Sequence, residues 1–387
     1  MKQNFDTSAL RQTAAEIQGA VKPKSITPDM VGGLFSALVE AQGEVIEALA
    51  ALEREVVTVK VNGYDGQGRV SAAGAKVYVD IFSIGGVPTV AIPRQELTAD
   101  ADGVVTFEVF KGYRYAVFSK IEGLGASFQL TYLAGQDART IELWNLPVGV
   151  YMYGLIAYYI DAEDTYRCVP VVTENYEEDL GSAIDMDWDV RDGEFCEDCY
   201  YLGVLVSSEN TSFYIEQNSK AENTLRWAAS RQYATAVPTM PLIPIEPAKF
   251  DGDWNAAWEY ALELARQDFD GNLNTAKILA FDGAAPAAKF CESIEVYDFR
   301  QAFLPSAGQL YLMYLNKDAI NALISAANDA GWDLEAIDNT YYWSSTQEDE
   351  FCAWGVGMAM ATPATTVRTT TAMCVPSPLF NINIRLL

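Results

Sequence analysis

Hydrophobic and polar residues alternate between residues 56 and 145, and this period of two constrains the fold more than any other feature. The runs 57–61, 77–81 and 105–109 each place valine, isoleucine or phenylalanine at every second position. Turn residues such as Asp102 and Gly103 separate the runs. Alternation bounded by turns is typical of strands that bury one face. The pattern predicts a small antiparallel β-sandwich over residues 56–145.

Apolar residues recur in a seven-residue rhythm, typical of a coiled coil, within the preceding 55 residues. The seam consists of Val31, Leu34, Leu38, Ala41, Val45, Ala48 and Leu52. Thr27 and Pro28 suit the N-cap and first turn of this helix. Residues 1–55 therefore predict a helical attachment or oligomerisation segment. The pattern fits either an amphipathic helix packed on its own domain or the stalk of a homo-oligomer, with a trimer favoured.

Histidine is absent, and 26 Lys and Arg against 53 Asp and Glu give a formal net charge of -27. Without imidazole there is no Ser-His-Asp or Cys-His catalytic pair and no histidine metal ligand. The negative charge repels polyphosphate, so no nucleic-acid partner is expected. The GxSxG, P-loop and HExxH signatures are also absent. We therefore expect no enzyme activity, no bound metal and no cofactor.

The sequence carries no targeting or membrane signal that we can identify. The N-terminal residues are polar where a signal peptide needs an apolar region. The longest apolar stretch, Val148 to Ile160, is shorter than the about 20 residues that cross a bilayer. We expect no signal peptide, no transmembrane segment and no membrane insertion.

The sequence predicts an acidic junction over residues 146–199. Eleven acidic residues and one basic residue, Arg191, lie between Glu174 and Asp198. A calcium loop beginning at Asp185 needs glycine and glutamate where the chain has Val190 and Cys196. The run therefore predicts a solvated acidic loop. Calcium binding with ligands from elsewhere in the fold stays an open alternative.

The six cysteines are sparse for 387 residues, which fits synthesis in a reducing compartment better than a disulfide scaffold. Cys196 and Cys199 form a lone CxxC pair. No second CxxC and no histidine lies at zinc spacing. We do not assign the pair a metal or redox role from the sequence.

Helical periodicity predicts four helices in the C-terminal part, near 254–264, 286–291, 306–315 and 318–330, with short strands after Tyr341. Asp253 is the expected N-cap of the first helix. The expected buried stripes are Ala257, Tyr260, Ala261 and Leu264 in the first helix, and Leu310, Tyr311, Tyr314 and Leu315 in the third.

Six short motifs follow one another in a specific order in the C-terminal part of the chain. They are 270–277 (DGNLNTAK), 287–291 (AAKFC), 303–310 (FLPSAGQL), 314–321 (YLNKDAIN), 342–347 (YWSSTQ) and 353–356 (AWGV). This succession resembles the C-type-lectin-fold domain, related to the formylglycine-generating-enzyme fold, of phage proteins diversified by retroelements. The resemblance covers about residues 200–387.

Two weaker resemblances concern the N-terminal parts. The segment SITPDMVGGLF at residues 25–35 resembles the starts of virion proteins from phages of gut Bacteroidales. The runs AGAKVYV, DADGVVTFEV and GYRYAV between residues 73 and 117 resemble an Ig-like spacer domain of the carboxypeptidase-regulatory type. The fold class implied is α+β and multidomain: a helical or coiled-coil segment, an Ig-like β-sandwich and a C-terminal C-type lectin fold.

The resemblance implies a phage tail receptor-binding protein that binds a bacterial cell-surface protein or glycan. Its other expected partners are virion tail proteins, and its expected location is the virion tail. Two alternatives stay open: an enzyme of the formylglycine-generating type with a pocket at Cys352 or Cys374, and a structural virion or cell-surface protein without a receptor.

Residues 355–380 carry one charged residue, Arg368, and are mostly small or apolar. In the family, this is the variable region, where adenine-directed mutagenesis leaves tryptophan unchanged. Trp343 and Trp354 are expected to be buried scaffold, because large aromatic side chains favour packed positions. The contact positions that the resemblance implies are Phe351, Cys352, Gly355, Gly357, Ala359, Ala361, Thr362, Pro363, Ala364 and Thr365. An ordinary loop-and-strand surface is the alternative.

Overall fold

The computed structural model describes residues 53–84, 87–88, 92–135, 140–160, 165–173, 194–216, 227, 237, 240–281, 284–293, 302–329, 334–349, 352–359, 371–372 and 382–383. Within these residues the protein is a mixed α+β structure, made mostly of β-strands with five α-helices. The predicted coiled-coil seam and residues 174–193 of the acidic run lie outside the described residues.

Nine strands lie within the described residues up to Asn145. They are Arg54–Tyr64 (β1), Arg69–Val70 (β2), Lys76–Ile84 (β3), Val87–Pro88 (β4), Gln95–Thr98 (β5), Val104–Phe110 (β6), Tyr113–Lys120 (β7), Leu130–Leu133 (β8) and Thr140–Asn145 (β9). In one sheet β1 pairs with β2 and β6 antiparallel and with β9 parallel. The other sheet has the order β4-β3-β7-β8, with β5 beside β3.

The alternating residues form the core between these two sheets. Val57 and Val59 of β1, Val79 of β3, and Phe107 and Val109 of β6 belong to one buried cluster. The predicted period of two is confirmed in β1, in β3 up to Val79, and in β6 at Phe107 and Val109. Val105 is only half-buried, and after a register shift in β3 Phe82 is buried while the predicted Ile81 is half-buried. The first strand begins at Arg54, two residues before the predicted start.

Eight strands, five α-helices and a short 3-10 helix at Pro247–Phe250 occur among the described residues after Asn145. The strands are Gly149–Ile160 (β10), Thr165–Thr173 (β11), Glu194–Ser207 (β12), Ser212–Glu216 (β13), Tyr341–Gln347 (β14), Ala353–Gly357 (β15), Thr371–Ala372 (β16) and Ile382–Asn383 (β17). The helices are Trp254–Arg266 (α1), Gly271–Phe281 (α2), Pro286–Ser293 (α3), Ala307–Leu315 (α4) and Lys317–Asp329 (α5).

The third sheet occupies much of the stretch where the sequence predicts an acidic junction. Its strands run antiparallel in the order β11-β10-β12-β13. β10 coincides with the long apolar stretch at 148–160, and β12 continues across residue 200, where the sequence predicts a domain boundary. A strand that is apolar at consecutive positions has no period-two signal, so the sequence pattern did not reveal β10.

The helix starts follow the sequence, but two of the buried stripes differ from prediction. The Asp253 carboxylate caps α1 by accepting hydrogen bonds from the backbone N–H groups of Asn255 and Ala256. α1 buries Ala257, Ala261, Leu262 and Ala265, whereas Tyr260 and Leu264 are exposed. Small alanines let α1 approach its neighbours closely, so the buried face is centred on them.

α4 differs in the same way. It buries Leu310 and Met313, leaves Tyr311 half-buried, and exposes Leu315. Its N-terminal Gly308 and Gln309 are buried. The Gly308 backbone N–H donates to the Asp268 carbonyl, and Gln309 Nε2 donates to Thr211 Oγ1. The sequence periodicity did not predict α2. Five consecutive residues from Gly271 to Thr275 are buried, so the start of this helix has no separate apolar and polar faces.

The C-terminal part has a core of its own between the third and fourth sheets. The fourth sheet has the order β16-β15-β14-β17, with β14 and β17 parallel. One buried cluster combines Val204 and Phe213 of the third sheet, Leu310 and Ile324 of α4 and α5, and Val356 of β15. Helices α4 and α5 therefore contribute their buried faces to a core shared with both sheets, while the outer face of α5 is exposed.

The sandwich and the C-terminal part are joined by apolar and ionic contacts. Leu273 of α2 packs against Phe82 and Ala116 of the sandwich. The Arg94 guanidinium donates to both carboxylate oxygens of Asp80 and, at 2.9 Å, to both of Asp270 at the start of α2. These contacts tie β3 to α2.

We expect Leu273→Ala to destabilise the protein by about 2–4 kcal/mol, because the truncation leaves a cavity at a side chain that is 2 % exposed. Urea denaturation measures the loss. Leu315→Ala is the matched control, since Leu315 is also a helical leucine but 57 % exposed; it is expected to change stability by less than about 0.5 kcal/mol. Equal losses in both variants would contradict the packing argument.

Candidate functional site

Three of the six motifs meet at Asp268, in the loop between α1 and α2: two bond its carboxylate and one bonds its backbone carbonyl. Oδ2 accepts hydrogen bonds from Thr346 Oγ1 at 2.7 Å and Asn274 Nδ2 at 3.0 Å. Oδ1 accepts one from the backbone N–H of Asp270 at 3.0 Å. The Asp268 carbonyl oxygen accepts from Ser306 Oγ at 2.6 Å. One aspartate thus joins α2, the start of α4 and β14.

Burial is the main reason that the pKa of Asp268 is raised, and the nearby charge of Asp270 raises it further. The hydrogen bonds from Thr346, the Asp270 backbone and Asn274 oppose this shift. All three groups donate, so they favour the ionised carboxylate.

The start of α4 is built around the same loop. Ser306 and Gln309 form a reciprocal capping box at its N-terminus. The Ala307 backbone N–H donates to Thr346 Oγ1 at 2.8 Å. Gly308 has no substitute here, because a Cβ atom would lie 2.4 Å from the Asp268 carbonyl oxygen. The motif FLPSAGQL is therefore explained by close packing and capping.

The two tryptophans of the fourth sheet lie at different depths. Trp354 is fully buried in a cluster with Ala261 and Leu262 of α1, and its Nε1–H donates to the Ile243 carbonyl at 3.2 Å. Trp343 is half-buried and packs beside Cys291 and its neighbours. Trp354 closes the contact between β15 and α1.

The end of β15 is held in place from two sides. Lys317 is 7 % exposed as a whole residue, and its ammonium donates to the Met358 carbonyl at 2.9 Å and contacts Asn339 Oδ1. The Met358 backbone N–H donates to the Thr340 carbonyl at 2.8 Å. Burial lowers the pKa of Lys317. After these contacts the chain reaches Ala359, which is exposed.

The turn between β14 and β15 has its own hydrogen bonds. The Cys352 carbonyl accepts from the backbone N–H of Glu348 at 2.8 Å, and the Cys352 N–H donates to Asp349 Oδ1 at 2.7 Å. The Glu348 side chain is 8 % exposed, and no donor in the described part of the chain reaches its Oε2. Burial, helped by the charge of Asp349, raises the pKa of Glu348 to about 7.

The predicted contact positions differ in how exposed they are. Among those described, Ala359 is exposed, Cys352 and Gly357 are half-buried, and Gly355 is buried where β15 pairs with Trp343 of β14. Their assignment to a ligand-binding face stays a prediction. The others lie outside the described residues: Phe351, Ala361, Thr362, Pro363, Ala364 and Thr365.

Sequence reasoning missed Lys317 and Glu348. Lys317 belongs to the motif YLNKDAIN, but a lysine at a helix start is ordinarily solvated, and only the fold shows it beneath Met358. Glu348 stands in the acidic run after YWSSTQ, where a carboxylate is ordinarily exposed.

The described residues contain no group of three or more Cys, Asp or Glu side chains arranged to hold a metal ion. Cys291 is a buried free thiol. No helix within the described ranges is both long and apolar enough to cross a membrane.

No protein-family model matches the chain, and no curated protein matches it. Among solved structures, similarity is found to a fimbrial protein from Bacteroides ovatus ATCC 8483, with 12 % identity, 87 % of this chain and 70 % of that chain covered, and a TM-score of 0.34. Similarity is also found to the shaft pilin SpaA from Lactobacillus rhamnosus GG, with 9 % identity, 44 % of this chain and 90 % of that chain covered, and a TM-score of 0.20. Scores this low assign neither a fold nor a function.

We expect Asp268→Asn to cost about 2–4 kcal/mol, because an amide nitrogen replaces one acceptor oxygen and leaves a donor of the network unpaired. Urea denaturation near neutral pH checks this. Asp102→Asn, at an exposed turn position, is the matched control and is expected to be nearly neutral. A loss below about 0.5 kcal/mol for Asp268→Asn would show that the network does not depend on the carboxylate.

The raised pKa of Glu348 predicts a pH-dependent stability. The folded state holds the proton between the ordinary pKa, 4.5, and about 7, so stability falls as pH rises through this window. After allowance for solvent screening we expect a loss of about 1–2 kcal/mol. Glu348→Gln should remove this part of the loss.

Urea denaturation of both proteins at pH 5 and pH 8 measures the difference. The exposed Glu259→Gln is the control and is expected to keep the wild-type pH dependence. If Glu348→Gln shows the same loss as the wild type, the carboxyl is not the titrating group.

Proposed function

We propose that the chain is a phage tail receptor-binding protein that recognises a bacterial cell-surface protein or glycan without catalysis. Its C-terminal part is proposed to be a C-type-lectin-type head, and the sandwich a spacer between this head and an N-terminal helical segment. The proposed contact face, called the rim below, consists of the predicted contact positions from Phe351 to Thr365.

The observation that carries the proposal is the anchoring of β15 and of Met358, the residue that follows its end. Trp354 is buried near the start of the strand, and Lys317 holds the carbonyl of Met358. The next residue, Ala359, is exposed. The hydrogen bonds that hold β15 and Met358 come from residues before the predicted contact positions: Ile243, Lys317 and Thr340. This separation of scaffold from surface is what a variable binding face requires.

The composition of the face favours weak binding by each copy. Residues 355–380 contain one charged residue and no tryptophan or tyrosine, so they supply few of the anchors that dominate tight interfaces. Several heads on one virion would raise the overall affinity by multivalency. We propose that the N-terminal segment supplies this by homo-oligomerisation, with a trimer favoured, and attaches the head to other tail proteins.

Binding of the fluorescently labelled full-length chain to a panel of gut Bacteroidales isolates tests the function. We expect binding to at least one isolate, and at least about a tenfold weaker half-saturation for Ala359→Trp, since a large side chain at the rim costs 1.4 kcal/mol or more.

Ala326→Trp is the matched control, since Ala326 is also an exposed alanine but belongs to α5 and not to the predicted contact positions, and the change should leave binding as it is. Absence of binding to every isolate would contradict the function. Binding that both variants retain would instead move the contact face elsewhere on the molecule.

A further inference from the structure

At the CxxC pair, the backbone of β12 departs from its regular pairing with β10. Tyr200 pairs with Ile156 of β10, and the next pair along the ladder joins Phe195 to Tyr158. Residues 196–199, Cys-Glu-Asp-Cys, therefore stand opposite the single residue Ala157. A common β-bulge sets two residues against one, so a four-residue excursion is unusual.

The register also limits the distance between the two ends of the excursion. Ile156 and Tyr158 are about 7 Å apart along β10, at about 3.3 Å per residue, and their partners Phe195 and Tyr200 are held at a similar separation. An extended chain of five residue steps would cover about 17 Å. The chain at 196–199 must therefore fold back, as a four-residue turn does when its outer Cα atoms lie within about 7 Å.

This separation matches the geometry of a disulfide, whose Cα atoms lie about 4.4–6.8 Å apart. We propose that Cys196 and Cys199 form a disulfide that closes the β12 excursion when the protein leaves a reducing compartment. Two thiols are oxidised to one disulfide, and two electrons and two protons pass to a small-molecule disulfide such as oxidised glutathione, which is reduced to two thiols.

The third cysteine of this sheet is a poorer partner. Cys168 of β11 pairs with Ala157 from the opposite side. It is thus about two strand spacings, roughly 10 Å, from the excursion, beyond the reach of a disulfide. The residues between the paired cysteines, Glu197 and Asp198, are acidic. Negative charge opposes thiolate formation, so the bond acts as a slow structural clip and not as a fast redox catalyst.

The experiment equilibrates the full-length protein with glutathione buffers of increasing oxidising strength, blocks free thiols with an alkylating agent, and counts them by intact mass under denaturing conditions. We expect the oxidised wild type to carry two fewer alkyl groups than its six cysteines allow, and peptide mapping to join Cys196 to Cys199. Cys168→Ser should keep this bond. Cys196→Ser should leave Cys199 fully alkylated.

A second measurement separates the effect of the fold from that of the sequence spacing. The equilibrium constant for oxidation by glutathione should be at least about tenfold larger for the native protein than for the urea-unfolded chain, because only the fold holds the two cysteines together. Equal constants, alkylation of both cysteines under oxidising conditions, or a bond that includes Cys168 would overturn the proposal.

Discussion

The C-terminal part of the molecule depends on the hydrogen-bonded carboxylate of Asp268. A carboxylate shielded from water is tolerated only when donors replace the water it has lost, and here the donors come from two segments. The Asp270 backbone and Asn274 belong to the start of α2, and Thr346 belongs to the end of β14. These donors fix α2 and β14 relative to the loop that holds Asp268. Because Ser306 binds the carbonyl of the same residue, the start of α4 is fixed as well. The apolar side chains of these segments then pack in the arrangement that the hydrogen bonds set.

The loop that holds Asp268 also contacts the β-sandwich. Asp270, two residues after Asp268, accepts the Arg94 guanidinium, which also binds Asp80 of β3. Gln129 adds a further link, since its Nε2 donates to Asp270 Oδ1 and its Oε1 accepts from the Leu273 N–H. The two parts therefore meet through several short polar contacts around a small apolar centre. Such an interface resists rotation of one part against the other.

The sequence predicts the sandwich strands and the helix starts well, because each depends on local chemistry. Period-two alternation identifies the buried valines of β1, and Asp253 and Ser306 are ordinary N-cap residues. The buried faces of α1 and α4 could not be predicted from hydrophobicity, since alanines and a glutamine are buried while Tyr260 and Leu315 are exposed. The place of Lys317 beneath Met358 depends on contacts between residues far apart in sequence. The receptor and the contact positions rest on resemblance alone.

The first and last strands of the sandwich, β1 and β9, pair side by side and parallel, from Thr58 opposite Thr140 to Gly63 opposite Asn145. The chain therefore enters at one end of the sandwich and leaves at the other. A tension applied between the N-terminal segment and the C-terminal part would pull these two strands along their length in opposite directions. All the hydrogen bonds between β1 and β9 would then bear the force together. Two strands that are pulled apart from one end instead lose their hydrogen bonds one at a time. This strand order suits a spacer that carries mechanical force.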